Sequence, residues 1–266
     1  MPALYPLSSS IIVAASASSP PSGAAQPYLQ LHLSCGHQAR ISAHTPFRFH
    51  PVSLPTSTAA CLEPYLPIPH PALPLILTPP RPGTDYVRQV STLNDPSVAL
   101  NLVGPPYPLL AGDGLGESER SRRRRSGSPN DRMGSRSRVC EWIGEIAVQR
   151  WQFREVDDLE ERETLVSENE AKEAGDETIV WSFGYYLHPS YHAQSIASSA
   201  LHAVLNSYLV PFLGARHIRA TAFADNLASL RVQEKQGLKK LGVFRHDISE
   251  SRGGGTTEEV VMEWKA

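Results

Sequence analysis

The composition of the chain changes sharply near residue 73, and this change limits where a folded core can form. Before it, only Arg40, Arg48 and Glu63 carry a charge, while Pro, Ser and Ala dominate. The residues there follow no strand or helix period, and the prolines remove backbone donors. We therefore predict a disordered or irregular Pro/Ser/Ala-rich tail over residues 1–72 and one folded domain over residues 74–266. A misplaced gene start is the alternative reading of the tail.

Strand-like and helix-like patterns alternate from residue 74 onward. Strands are predicted at residues 75–78 and in the segments "EWIGEIAVQRW", "TIVWSFGYYLH", "HIRATAF", "LGVFRHDI" and "EEVVMEWK". Helices are predicted at residues 84–93, after the capping residue Asp95, from Ile196 until Pro211, and in "DNLASLRVQEKQG". The order β α α β β α β α β β predicts an α/β domain built on a mixed sheet.

Two polar segments interrupt this pattern. Residues 112–138 form a charged, Gly/Ser-rich, low-complexity insertion without an apolar face, and a gene-model error is the alternative there too. The arginine run at residues 122–125 is compatible with anion binding or nuclear import, but solvated loops often carry such runs. We interpret the acidic residues 155–177 as a solvated linker, with attraction of a cationic acceptor as the alternative.

Charge and cysteine content narrow the classes of partner and cofactor. The formal net charge of −2 predicts neither nucleic acid nor a membrane surface as a partner. No apolar run approaches the roughly 20 residues of a membrane span. Cys35, Cys61 and Cys140 lack a paired metal-ligand spacing, so we expect no metal and a cytoplasmic protein with reduced thiols. The arginine run and the acid-poor first 60 residues are weak signals for a nuclear or a mitochondrial location.

The segment "YHAQSIASSA", residues 191–200, joins a predicted strand to a predicted helix. Backbone amides and the helix dipole bind phosphate at such a junction, and glycine usually stands where the backbone approaches the anion. This segment has Ala193 and Ser195 and no glycine. We therefore predict a phosphate-binding loop whose affinity Ser195 lowers by crowding, unless its hydroxyl serves as an added donor.

Two longer segments carry a family resemblance. The segment "GYYLHPSYHAQSIASSALHAVL", followed by "ATAFADNLASLRVQEKQGLKKLG", resembles the GNAT superfamily of N-acetyltransferases, in the branch of the ribosomal-protein N-terminal acetyltransferases. The segments "LNDPSVALNLVGPPYP" and "WIGEIAV" extend the resemblance to about residues 74–266. It implies a GNAT-like mixed, mostly antiparallel sheet that splays at the cofactor site and is flanked by helices. It also implies acetyl-CoA as the co-substrate.

The resemblance assigns cofactor contacts to particular positions. The strand at residues 184–188 would pair with the pantetheine arm, and residues 192–197 would wrap the pyrophosphate, with His192 in place of Gln or Arg and Ser195 in place of glycine. The predicted cofactor-binding residues are Tyr186, Leu187, His188, His192, Ala193, Gln194, Ser195, Ile196, Ala197, Asn226 and Ser229.

Acetyl transfer also needs a donor for the oxyanion, an acid for the departing sulfur and a route for the amine proton. A backbone amide near Tyr186 or Leu187 suits the oxyanion, and the resemblance offers Ser229 as the acid. Glu145 is the first candidate for the base, directly or through water, followed by Tyr186 and His188. Simpler roles stay open: Ser229 as a capping or surface serine, and Glu145 as a solvent-facing side chain.

The expected function is that of an acyltransferase, an acetyl-CoA-dependent N-acetyltransferase that acts on a primary amine of a protein N-terminus or a small molecule. Direct attack in a ternary complex is expected, because no cysteine lies in either motif to carry the acyl group. The alternatives are a non-catalytic CoA-binding or scaffold relative with a degenerate pyrophosphate loop, and a defective gene product. The acceptor and the oligomeric state stay undetermined at this level.

Overall fold

In the residues that the computed structural model describes, nine strands form one sheet. These residues are 26–33, 48–52, 61–78, 86–103, 107–109, 140–248, 250–252 and 254–266. The strands are β1 (Gln26–Leu33), β2 (Arg48–Val52), β3 (Cys61–Ile68), β4 (Leu75–Thr78), β5 (Cys140–Arg150), β6 (Val180–Leu187), β7 (His217–Phe223), β8 (Lys239–Asp247) and β9 (Thr256–Lys265). The helices are α1 (Tyr86–Leu93), α2 (Pro96–Ala99), α3 (Leu159–Ala171), α4 (Ile196–Val204, continued by a π-helical turn over Leu205–Leu209) and α5 (Leu227–Lys235).

The sheet is mixed and mostly antiparallel, as predicted. The strand order is β2-β3-β4-β1-β5-β6-β7-β9-β8. Strand β1 is parallel to both β4 and β5, and β6 is parallel to β7, while the other neighbours are antiparallel. The predicted order of elements after residue 74 is confirmed, with one helix added. The predicted insertion at residues 112–138 lies outside the described residues.

The N-terminal region contributes three strands, so the prediction of a disordered tail is wrong for β1, β2 and β3. Strand β1 lies between β4 and β5, and Tyr65, Leu66 and Ile68 of β3 are buried in the main core. Pro64 and Pro67 interrupt β3, and this hides its strand character from the sequence pattern. Strand β3 pairs with β2 and β4, and strand formation depends on such cross-strand packing more than on intrinsic preference.

The prediction of a solvated linker for the acidic segment between β5 and β6 is also corrected, because this segment contains helix α3. Asp158 caps the first turn. The helix attaches to the sheet through Asn169, which is 1% exposed and whose amide group accepts from the N–H of Val180 (3.0 Å) and donates to its carbonyl (2.9 Å). The buried guanidinium of Arg150 donates to the carbonyl of Asn169. Helix α3 is therefore docked by polar groups, which a search for an apolar stripe does not detect.

The main core lies between the sheet and helix α4. Its fully buried side chains include Trp142, Ile146, Ile196, Leu201 and Tyr208. Helices α1 and α2 form a second, smaller cluster with Leu93, Val98 and Leu109, against which Tyr186 packs. None of the helices in the described part of the chain has the length and apolar character of a membrane span.

The buried position of Leu66 makes the contribution of β3 measurable. Leu66 is 2% exposed, so Leu66→Ala should lower the free energy of unfolding by about 2–5 kcal/mol through lost burial and a residual cavity. Val87→Ala is the control, because Val87 on α1 is 78% exposed and should change stability by less than about 0.5 kcal/mol. Urea unfolding measures the stability of both variants, and an effect of Leu66→Ala as small as that of Val87→Ala would restore the prediction of a disordered tail.

Candidate functional site

Strands β6 and β7 separate along their length. Between these two described strands, the parallel pairing runs from Val180 with His217 to Ser182 with Arg219 and ends there. Beyond this point β6 stays paired with β5, and β7 stays paired with β9. A Cβ added at Gly184 would meet no atom of the described residues within 4 Å. The sheet therefore contains a wedge-shaped opening, and the predicted splay is confirmed.

A tight loop connects the end of β6 to helix α4. One 3₁₀ turn covers Pro189–Tyr191, and Ser195 occupies the N-cap of α4 with φ 60° and ψ 9°. Ala193 also has a positive φ, 58°. The left-handed conformation costs a non-glycine residue roughly 1–2 kcal/mol. The family resemblance places a glycine at the position of Ser195. Because a serine stands there in a left-handed conformation, the main consequence of the missing glycine is backbone strain, which the sequence did not reveal.

Side chains of this loop bind the loop's own backbone. The ring Nε2 of His192 lies 2.9 Å from the carbonyl oxygen of Leu187, at the end of β6. The ring Nδ1 of His188 accepts from the N–H of Ser190. The ring Nε2 of His192 is therefore engaged by the loop's own backbone, and the groups that the loop can offer a phosphate are mainly backbone amides.

Two further predicted cofactor residues stand at the start of α4. The side chain of Ile196 is fully buried in the core, and Ala197 packs against the same core. Any contact of Ile196 with a cofactor would therefore use its backbone. The amides of this first helical turn lack helical acceptors, which leaves them available for an anion.

On the α5 side of the sheet, two hydroxyl groups form a close pair. The hydroxyl of Tyr185 lies 2.7 Å from Oγ of Ser229, and either can donate. Asn226 caps α5 by accepting from the N–H of Ser229 at 3.1 Å. Burial raises the pKa of Tyr185 to about 12, although its hydrogen bonds to Ser229 and Gln233 act in the opposite direction. Tyr185 therefore keeps its proton at neutral pH.

A second polar cluster joins Glu145, Tyr186 and Gln89. The hydroxyl of Tyr186 donates to Oε2 of Glu145 at 2.7 Å, and Nε2 of Gln89 donates to the same oxygen at 2.8 Å. Burial, and after it the charge of Glu145, raises the pKa of Tyr186 well above its usual range. Tyr186 is therefore a proton donor to the carboxylate and not a base at neutral pH.

The two clusters lie on opposite faces of β6. Tyr185 and Tyr186 are consecutive in a strand, so their side chains point in opposite directions. The structure brings Glu145 and Tyr186 together but places Ser229 on the other face, with Tyr185. Sequence reasoning did not pair Tyr185 with Ser229, because strand alternation gives the face of Tyr185 but not its partner on α5. Gln89 was missed, because no local pattern relates α1 to β5.

The connection between β8 and β9 reaches helix α2. The guanidinium of Arg252 donates to the carbonyl oxygens of Ala99 (2.6 Å) and Leu102 (2.5 Å). Carbonyl groups at a helix end lack partners within the helix, which suits a cationic donor. Since α2 packs in the cluster that contacts Tyr186, this link lies on the same side of the sheet as Glu145.

A comparison with protein families identifies the domain. Residues 127–239 match the family model described as "Acetyltransferase (GNAT) domain". Over these residues the chain is similar to a GNAT acetyltransferase domain. The matched residues cover less than half of the chain but include β6, the loop, α4, β7 and α5, and so most of the opening in the sheet.

Solved acetyltransferase structures are similar to about a third of this chain. An acetyltransferase of the GNAT family from Bacillus anthracis is 26% identical, with 35% of this chain and 54% of that chain covered and a TM-score of 0.30. The ribosomal-protein-S5-alanine acetyltransferase from Vibrio fischeri is 18% identical, with 32% and 45% covered and a TM-score of 0.30. RimJ from Mycobacterium smegmatis, in complex with CoA-disulfide, is 21% identical, with 33% and 40% covered and a TM-score of 0.30. The chain spans about half of the length of these proteins or less, and a search of curated proteins finds no significant match.

The left-handed conformation of Ser195 leads to a stability prediction. Glycine adds chain entropy, but at φ 60° it also removes the strain, so Ser195→Gly should raise the free energy of unfolding by about 0.5 kcal/mol. Ser199→Gly, within α4, should lower it by about 0.5–1 kcal/mol. Urea unfolding of the two variants is the measurement. Equal losses would show that position 195 carries no strain.

Proposed function

We propose that this protein is an acetyl-CoA-dependent N-acetyltransferase that acts on a primary amine by direct attack in a ternary complex. The acceptor class is a protein N-terminus or a small amine. The observation that carries the proposal is the opening between β6 and β7, followed directly by the loop and helix α4 within a GNAT domain. An opening in a sheet leaves backbone groups that need partners, and a pantetheine arm with its two amide groups offers them.

The proposed cofactor site is built from backbone. The edge of β6 after Ser182 would pair with the pantetheine arm, and the amides of residues 194–197 would bind the pyrophosphate at the start of α4. His192 and His188 then act by shaping the loop through their bonds to Leu187 and Ser190 rather than by touching the phosphates.

The proposed acid is the hydroxyl pair of Ser229 and Tyr185. As the amine nitrogen bonds to the acetyl carbon, the carbon–sulfur bond breaks and the thiolate of CoA takes a proton. Tyr185 keeps its proton at neutral pH because burial raises its pKa to about 12, and the 2.7 Å contact lets it resupply Ser229. Both residues face the α5 side of the opening.

The proposed base is Glu145, which takes the amine proton directly or through water. Tyr186 and Gln89 hold its Oε2 and so orient the carboxylate. Tyr186 is a positioning residue in this scheme, since its raised pKa keeps it protonated. The acceptor would approach from this face, beside α2 and the Arg252 link.

A non-catalytic CoA-binding relative is the second candidate, favoured by the two non-glycine residues with positive φ in the loop. Calorimetric titration with acetyl-CoA, followed by assay of CoA thiol release with a panel of amines, distinguishes the two. Binding with amine-dependent release supports the enzyme. Binding without release supports the relative, and no binding contradicts both.

Removal of the proposed acid should lower turnover and leave cofactor binding intact. Ser229→Ala should lower kcat by about ten- to a thousand-fold, with the dissociation constant of acetyl-CoA little altered. Tyr185→Phe should lower kcat less, because Ser229 keeps its own hydroxyl. Ser199→Ala, in α4, is the control and should retain kcat. Unchanged turnover of the Ser229 variant would remove this residue from the mechanism.

The role of Glu145 is tested by a substitution that keeps its shape. Glu145→Gln removes the charge but keeps an oxygen that can accept from Tyr186, so kcat should fall by about a hundred- to ten-thousand-fold. Glu141→Gln is the matched control, because Glu141 lies on the same strand and pairs with Arg88 on α1. Steady-state kinetics at saturating acetyl-CoA measures both. Similar kcat values for the two variants would show that Glu145 is not the base.

A further inference from the structure

His70, between β3 and β4, is hydrogen-bonded to the loop before α4. Its ring Nε2 lies 2.9 Å from the carbonyl oxygen of Gln194, which is 124 residues later in the chain. Its ring Nδ1 accepts from the N–H groups of Ala72 (3.3 Å) and Leu73 (3.1 Å). Because Nδ1 accepts, Nε2 carries the proton of the neutral ring and donates it to Gln194.

This bond sets the direction of a neighbouring amide. The carbonyl of Gln194 and the N–H of Ser195 belong to one planar trans peptide, in which the two groups point in opposite directions. A donor that holds the carbonyl therefore holds the N–H of Ser195 on the other side of the peptide plane. Hydrogen bonding to the carbonyl also polarises the peptide, which makes its N–H a stronger donor.

The strain at Ser195 acts against this orientation. Rotation of the peptide between Gln194 and Ser195 by half a turn would take the φ of Ser195 from 60° to a negative value, which serine prefers. The same rotation would reverse the direction of the N–H. A glycine has no such preference, so a loop with glycine at this position is not driven to rotate.

We propose that His70 is a positioning residue for the pyrophosphate of acetyl-CoA. It holds the amide of Ser195 toward the ligand and compensates for the missing glycine of the loop. The N-terminal segment thereby takes part in cofactor binding without touching the cofactor. This inference rests on the proposed function.

Two substitutions separate the bond to the loop from the local turn. In His70→Asn the amide oxygen takes the place of Nδ1 and accepts from Ala72 and Leu73, but the side chain is too short to reach Gln194. In His70→Gln the longer amide keeps a donor within reach of that carbonyl. CoA affinity by calorimetry should fall about fivefold in His70→Asn, which is the size of one hydrogen bond, and should recover in His70→Gln.

The double substitution with Ser195→Gly tests the compensation. Glycine populates both orientations about equally, so loss of the tether should cost only about twofold in that background. Pantetheine, which lacks the phosphates, should bind the wild-type chain and His70→Asn with equal affinity in the same calorimetric titration. Equal CoA affinity of His70→Asn and the wild type, or an equal loss for CoA and pantetheine, overturns the inference alone. Absence of CoA binding by the wild type overturns the proposed function as well.

Discussion

The separation of β6 from β7 after Ser182 and Arg219 is the constraint on which the rest of the site depends. Both strands stay in the sheet, because β6 remains hydrogen-bonded to β5 and β7 remains hydrogen-bonded to β9. The separation leaves backbone donors and acceptors on two facing edges, and such groups must find water or a ligand. The family match over residues 127–239 is consistent with a cofactor in this position.

Strand alternation divides the proposed chemistry between two faces. Tyr185 meets Ser229 on the α5 side, while Tyr186 meets Glu145 on the α1 side. The sheet therefore separates the proposed acid from the proposed base. Burial raises the pKa of both tyrosines, so each hydroxyl stays protonated beside its partner. In the proposed mechanism the two faces act on the substrates at the opening between β6 and β7.

The loop before α4 shows how this chain departs from the family pattern. Ala193 and Ser195 adopt positive φ values without the freedom of glycine. Such strain persists only where surrounding contacts hold it. Here His192 bonds to the end of β6, and His70 bonds to Gln194 from the β3–β4 connection. The N-terminal region, whose composition predicts disorder, therefore supplies part of the sheet and one contact to the loop.

The sequence by itself determined those features of the fold that depend on interactions between residues close together in the chain. The cap Asp95, the strand Leu75–Thr78 and the loop-to-helix junction at Ile196 could all be predicted, because capping and periodicity involve residues a few positions apart. The two segments that resemble GNAT acetyltransferases also indicated the family and the separation of two strands at the cofactor site. Only the tertiary structure decided the strands β1 to β3, the polar docking of α3 and the pairing of Ser229 with Tyr185. These depend on partners far away in the chain, and no local pattern of residues encodes a contact that the rest of the fold supplies.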